Sequence, residues 1–186
     1  MNLAIFPLPL VLFPGGIIRL QIFEQRYLRM VKQSAAETGF VITPHDSKHP
    51  NEISHYGTWV KIIDFPQLSN GLLGIDVQAQ SLMSITNIHI EQDNLAMGDT
   101  TEQPHWPQQQ HNEQTQALAT ALKQLFVVNP TLKTLYADPQ FDDVNWTCKR
   151  WLESLPISAT DKAYFYAPDS FELALNLICS VVFAKK

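Results

Sequence analysis

The sequence predicts an α+β protein: a β-rich N-terminal domain with one packed helix, then a C-terminal helical bundle. Three observations carry this. In the first half, apolar residues recur at every second position in short runs broken by turn residues. Residues 99–114, DTTEQPHWPQQQHNEQ, hold two prolines, five glutamines and one large apolar residue, Trp106. Beyond them the apolar spacing becomes three and four, the period of a helix. The expected division is a β domain over 1–103, a Gln/Pro-rich linker over 104–114 and a helical domain over 115–186.

The first strand is expected over Leu3–Phe6. A proline-bent passage follows, then a turn at Pro14-Gly15-Gly16, where glycine accepts positive φ without steric cost. Ile17–Ile22 reads as the second strand. In FEQRYLRMVKQSAAE the period changes, with Tyr27, Val31 and Ala35 on one helical stripe beside Leu28 and Gly39 placed as a stop. Strands are expected over 39–43 and 58–64, the second carrying Val60 and Ile62 on one face. A turn at Ser69-Asn70-Gly71 leads into Leu73, Ile75 and Val77 in alternation. Met83 and Ile85 keep one phase while Ile88 and Ile90 keep the other. A β-bulge near Thr86-Asn87 reconciles them, and bent, bulged strands suit a barrel-like sheet.

In the second half, Leu118, Ala121, Leu122, Leu125 and Phe126 form a helical stripe ending at Asn129-Pro130. Val144, Cys148, Trp151, Leu152 and Leu155 form another, ending before Pro156. Ser158 and Asp161 fit the N-cap and third position of a short helix, and Asp169 and Glu172 repeat that spacing for the last one. Its apolar stripe runs from Phe171 to Val182, broadened by Leu173 and Leu177, as for a helix covered on most sides.

The chain has 186 residues, 45% hydrophobic and 17% charged, an ordinary globular balance. Its net charge of −5 offers no general basic field, so neither nucleic acid nor an acidic membrane is an expected partner. The apolar opening has no basic residue before Arg19, and Pro7, Pro9 and Pro14 interrupt it. It reads as core strand rather than signal peptide or membrane span. Two cysteines make no disulfide framework, and the cytoplasm is the expected compartment. The Asn145-Trp146-Thr147 sequon then carries no meaning.

No nucleophile elbow, phosphate-cradling glycine loop, His-Glu-x-x-His or Cys-x-x-Cys occurs. His45-Asp46-x-x-His49 with His55 offers three imidazoles and a carboxylate, but in a polar loop that reads more simply as solvated. Cys148 and Cys179 sit in apolar helical stripes, where thiols are inert small hydrophobes. Trp106, in His105-Trp106-Pro107, reads either as packing across a junction or as a ligand contact. Phe65, Leu68 and Leu72 flank the Asn70-Gly71 turn; apolar residues there in excess of what the core holds would mark a partner surface. The candidate binding residues are therefore Phe65, Leu68, Leu72 and Trp106. No catalytic residue, metal or cofactor is expected.

The residues FPLPLVLFPGGIIRLQIFEQRYLRMV resemble the opening of the Lon protease N-terminal, substrate-recognition domain. In that family an apolar strand leads to a Leu-Phe-Pro-Gly turn, matched by Leu12–Gly15. A strand then leads to Ile-Phe-Glu-x-Arg-Tyr opening a helix, matched by Ile22–Tyr27. Gly57-Thr58 and Leu68-Ser69-Asn70-Gly71-Leu72 match the middle of the domain. Two places depart: Gln25 stands where many relatives carry proline, and Ser81-Leu82-Met83-Ser84 stands where the family has a short arginine-rich motif.

The resemblance implies a pseudo-barrel of bent strands packed on a helix, then helices, in a free-standing bacterial member lacking the ATPase and Ser–Lys peptidase parts. It implies a non-catalytic module that captures apolar or unfolded polypeptide segments. Glu24, Arg26 and Tyr27 read as locking helix to sheet rather than as a site. The alternatives are a scaffold for one protein partner, with homo-oligomerisation as one form of it, and, less favoured, a metal-dependent or small-molecule enzyme using the His45–His55 loop.

Overall fold

We describe residues 1–34, 38–45 and 52–184 of a computed structural model. The chain divides into two compact units, Met1–Gln103 and Pro104–Lys186. The first holds β1 (Asn2–Leu8), β2 (Ile17–Ile22), α1 (Gln25–Ser34), β3 (Phe40–Pro44), β4 (Tyr56–Asp64), β5 (Leu73–Ile90) and β6 (Ala96–Gln103). The strands lie in the order β2-β5-β4-β3-β1-β6, and β6 pairs again with β5. Five strands thus close on themselves, which removes their free edges. β2 stays outside the ring, paired with β5. The expected α+β class and bent-strand sheet are what the structure has.

β1 reads as a continuous apolar run because both of its faces are covered. Ala4 and Phe6 enter one core cluster with Ile42, Val60, Ile75 and Val77, while Leu3 and Ile5 enter another with Val41, Met83 and Ile85. β5 is long because it changes partners: residues 73–78 pair with β2 and 82–90 with β6. The register shifts between Thr86 and His89, with Asn87 at φ 51°, where the alternation predicts a bulge. Buried Asp76 is answered across the ladder by Arg19, which donates to both carboxylate oxygens at 2.7 Å.

β6 lies partly inside the stretch that composition marks as polar and irregular, and sequence reading passes over it. Its inward positions are Ala96, Gly98 and Thr100 because the space is already taken. A Cβ on Gly98 would come within 2.6 Å of Ile85 and 3.0 Å of Ile5. Small inward residues leave no apolar alternation to detect.

α1 buries Tyr27, Met30, Val31 and Ser34, and the Tyr27 ring sits 4.1 Å from that of Phe6. Its outer face is tied to the β5–β6 turn. Arg26 donates to the Asn94 carbonyl at 3.1 Å, and Arg29 grips Asp93 at 2.7 Å and Glu91. The motif does join helix to sheet. Ala35, the last residue of the expected stripe, lies outside the described residues.

The second unit contains α2 (Glu113–Val128), α3 (Pro130–Leu135), α4 (Val144–Ser154), α5 (Ala159–Ala163), a 3₁₀ turn at Tyr164–Tyr166 and α6 (Phe171–Val182). α2 starts on a reciprocal cap: Asn112 accepts from the Thr115 amide, and the Thr115 hydroxyl accepts from the Asn112 amide. Asn129 ends α2 and caps α3, whose first residue is Pro130; a new helix begins where the sequence suggests only a stop. Ser158 caps α5 as its spacing predicts. α6 departs from expectation. Its N-cap position is Ser170, not Asp169, and makes no side-chain cap. The Ser170 hydroxyl instead donates toward the Ala167 carbonyl at 2.7 Å and accepts from the Trp106 indole at 3.0 Å. Leu173 and Val181 are exposed, so α6 is covered on one side rather than most.

Candidate functional site

A cleft of about 1120 Å³ opens in the first unit where several elements end together. Its walls are the end of β1 (Phe6, Pro7, Leu8), the passage from β2 into α1 (Gln21–Tyr27), His45, Glu52 and Ile53, and Ile90, Asp93, Asn94 and Ala96 around the β5–β6 turn. Proline chemistry helps keep it open. The β1–β6 ladder runs from Asn2 to Ile5, and Pro7, two residues on, has no N–H with which to continue it. β6 begins only at Ala96, opposite Ile5.

Within the cleft one short motif faces two ways. Ile22 and Tyr27 are buried and fix the chain, whereas Phe23 between them is 65% exposed. Ile90, which also lines the cleft, is 55% exposed. Two large apolar side chains thus stand exposed at the border of one cleft. Sequence reading assigns this motif a structural role. A signal was present: along β2 and one residue past its end the exposed positions run Arg19, Gln21, Phe23, and the third is aromatic where a polar residue is expected.

Phe65, Leu68 and Leu72 all lie on the β4–β5 connection. Phe65 and Leu72 are exposed beside exposed Ile63, and Leu68 is half-buried over Gly74. Trp106 belongs to the second unit and is buried at 6%, stacked on His105 with ring centroids 4.5 Å apart. The structure thus groups three of the four candidates and places the fourth inside a core. A smaller hollow in the second unit, about 250 Å³ between Phe126, Tyr136 and Phe141, has room for one or two side chains at most.

Of the imidazole loop, Asp46 and His49 lie outside the described residues. His45 borders the cleft, and a His55 ring nitrogen lies 3.1 Å from the Ile85 carbonyl. Among the described residues no three His, Cys, Asp or Glu side chains are grouped as a metal would need. Burial pushes the Cys148 thiol up to about 12 and raises that of Cys179, so neither is a ready nucleophile. Asn145 spends its amide on the carbonyls of Trp106 and Pro107, which buries the sequon. No described helix is long and apolar enough to cross a membrane.

His105 supplies a pH test. Burial drives its imidazole down to about 4, against the upward pull of its hydrogen bond with the Phe165 carbonyl. Unfolding returns it to about 6.5, where it takes a proton that the folded state refuses. Stability of the second unit should be full above pH ~6.5, fall as pH drops from ~6.5 toward about 4, and level off below. Denaturation at stepped pH should show this slope, and His105→Gln should flatten it. An unchanged slope would assign it to other groups.

Comparison with known proteins agrees with this architecture. The family profile described as the ATP-dependent protease La (LON) substrate-binding domain matches residues 2–158. A Lon N-terminal domain protein from Xanthomonas campestris superposes with a TM-score of 0.73 at 23% identity, covering 97% of this chain and 98% of that one. The N-terminal domain of Lon protease from the Mycobacterium avium complex superposes at 0.63 with 14% identity, covering 100% of both chains. At these identities the likeness is one of fold. No curated protein sequence matches the chain. With most of its length matched by the profile, the chain belongs to the family of Lon protease substrate-binding domains.

Proposed function

We propose that this protein is a non-catalytic binding module that captures exposed apolar segments of other polypeptides, and that the cleft at the β1 end, the β2–α1 passage and the β5–β6 turn receives them. The observation that carries the reading is the pair Phe23 and Ile90, large, apolar and exposed, both lining one space wide enough for an extended segment. Such contact is tolerant of sequence, because it is made through area rather than through a fixed set of hydrogen bonds. The 1–103 and 115–186 regions act as separate domains in this reading, with 104–114 between them.

Titration of the full chain with apolar peptides should give saturable binding at micromolar levels. Phe23→Ala should weaken it about tenfold or more, as removal of an aromatic anchor does at an interface centre. Phe23 is exposed, so the variant keeps its fold and the comparison is clean. Unchanged affinity in Phe23→Ala would move the site elsewhere, and no saturation with any apolar peptide would reject the reading.

A second reading, a scaffold for one protein partner or a second copy, has the β4–β5 connection in its favour. Phe65 and Leu72 are exposed there, as is Ile63 near the end of β4, with Leu68 half-buried over Gly74. A single stoichiometric partner lost on Phe65→Ser and indifferent to Phe23→Ala would select it.

A further inference from the structure

We propose that the cleft discriminates among apolar segments by charge, taking those that carry lysine or arginine beside the apolar side chain and turning away those that carry aspartate or glutamate. This rests on the peptide-binding reading above and names the class of segment it favours.

Among the described residues, Glu24, Glu52 and Asp93 border the cleft with one guanidinium, Arg26; Glu24 pairs with Arg26 and Asp93 with Arg29, so Glu52 is the lining carboxylate with no ion pair among these residues. That guanidinium is already committed. It lies 2.8 Å from Glu24, donates to the Asn94 carbonyl at 3.1 Å and covers the Tyr27 ring at 4.6 Å. It is therefore poorly placed to receive a carboxylate from a ligand. Asp93 is held by Arg29, which keeps its carboxyl below the usual range and offsets its charge, so Glu52 carries the selectivity. The whole chain carries −5, so the surrounding field has the same sign.

The apolar walls suit a long cation as well. A lysine or arginine stem can lie along Phe23 with its head toward Glu52, and an exposed phenyl face attracts the head directly. A glutamate at the same place meets like charges and gains nothing from the ring. These charges face water, so each cation is worth about fivefold in affinity at low salt, and salt screens it.

The test uses the full chain and three labelled peptides that share one apolar core and differ in flanks of Lys, Gln or Glu, read by anisotropy at about 0.05 M and about 0.5 M salt. Binding should rank Lys above Gln above Glu by about fivefold per step at low salt and converge at high salt. Glu52→Gln should narrow the Lys-to-Gln ratio at low salt. Equal affinity for Lys and Gln peptides, or tighter binding of the Glu peptide, overturns the charge inference and leaves apolar capture standing. Failure of all three to bind overturns the capture reading itself.

Discussion

A protein with alanine at Gly39 should be less stable by about 3 kcal/mol or more, enough to leave the first unit marginal. Two costs add at this position. Gly39 sits at φ 68°, in the left-handed region that disfavours a side chain. A Cβ built there would lie 2.1 Å from the Val60 carbonyl oxygen and 2.6 Å from the Trp59 indole nitrogen. Neither neighbour can retreat cheaply. Val60 is buried in the β3–β4 ladder opposite Phe40, and the Trp59 indole donates to the Thr38 carbonyl at 2.9 Å. Gly71 separates the two costs. Its φ is 75° but nothing lies within 4 Å of its absent Cβ, so Gly71→Ala should cost only the backbone part, about 1 kcal/mol. Urea midpoints for both variants decide the matter. If Gly39→Ala is no worse than Gly71→Ala, the close approach of β4 is not the constraint. β3 runs on to His45 at the cleft, so loss of the fold should carry peptide binding with it.

What the sequence shows of the fold depends on which residues had to be large. In β2, β4 and the first half of β5 the apolar residues packed in one core fall on alternate positions, Leu20 and Ile22, Val60 and Ile62, Leu73, Ile75 and Val77, and the alternation is visible. β6 fills a space already occupied by Ile5 and Ile85, so it carries Ala96, Gly98 and Thr100 and resembles loop. The same logic applies at the start of α6. Asp169 and Glu172 have the spacing of a cap, but the Ser170 hydroxyl is taken by Trp106, a residue more than sixty positions away that no local pattern can register. The cleft is hidden for a further reason. Phe6–Leu8, Gln21–Tyr27 and Ile90–Ala96 meet only because the ring of strands closes, and each alone reads as the end of an element. Phe65 and Leu72 could be picked out because a single turn presents them, and local chemistry suffices to place them outside.

Trp106→Ala is the second substitution expected to have a large effect, about 3–5 kcal/mol on the second unit. The indole is 6% exposed, stacks on His105 at 4.5 Å and meets the edge of Phe171 at 5.3 Å. Its N–H reaches Ser170, and its own carbonyl receives the Asn145 amide, so the segment before α2 is bound to both α4 and the start of α6. Truncation removes the largest side chain in this contact and leaves a cavity that its rigid neighbours cannot close. Trp106→Phe keeps most of the apolar area and loses only the donor. Ser170 retains its bond to Ala167, so that change should cost about 1 kcal/mol. The contrast separates a packing role from a binding one. A tryptophan that met ligand from a loop would tolerate truncation in a denaturation curve and show its loss in peptide titration. A buried, hydrogen-bonded one should do the reverse, lowering the helical transition steeply while affinity for an apolar peptide at the Phe23 cleft stays within about twofold. A helical transition unmoved by Trp106→Ala would sink the packing assignment and return Trp106 to the candidate binding residues.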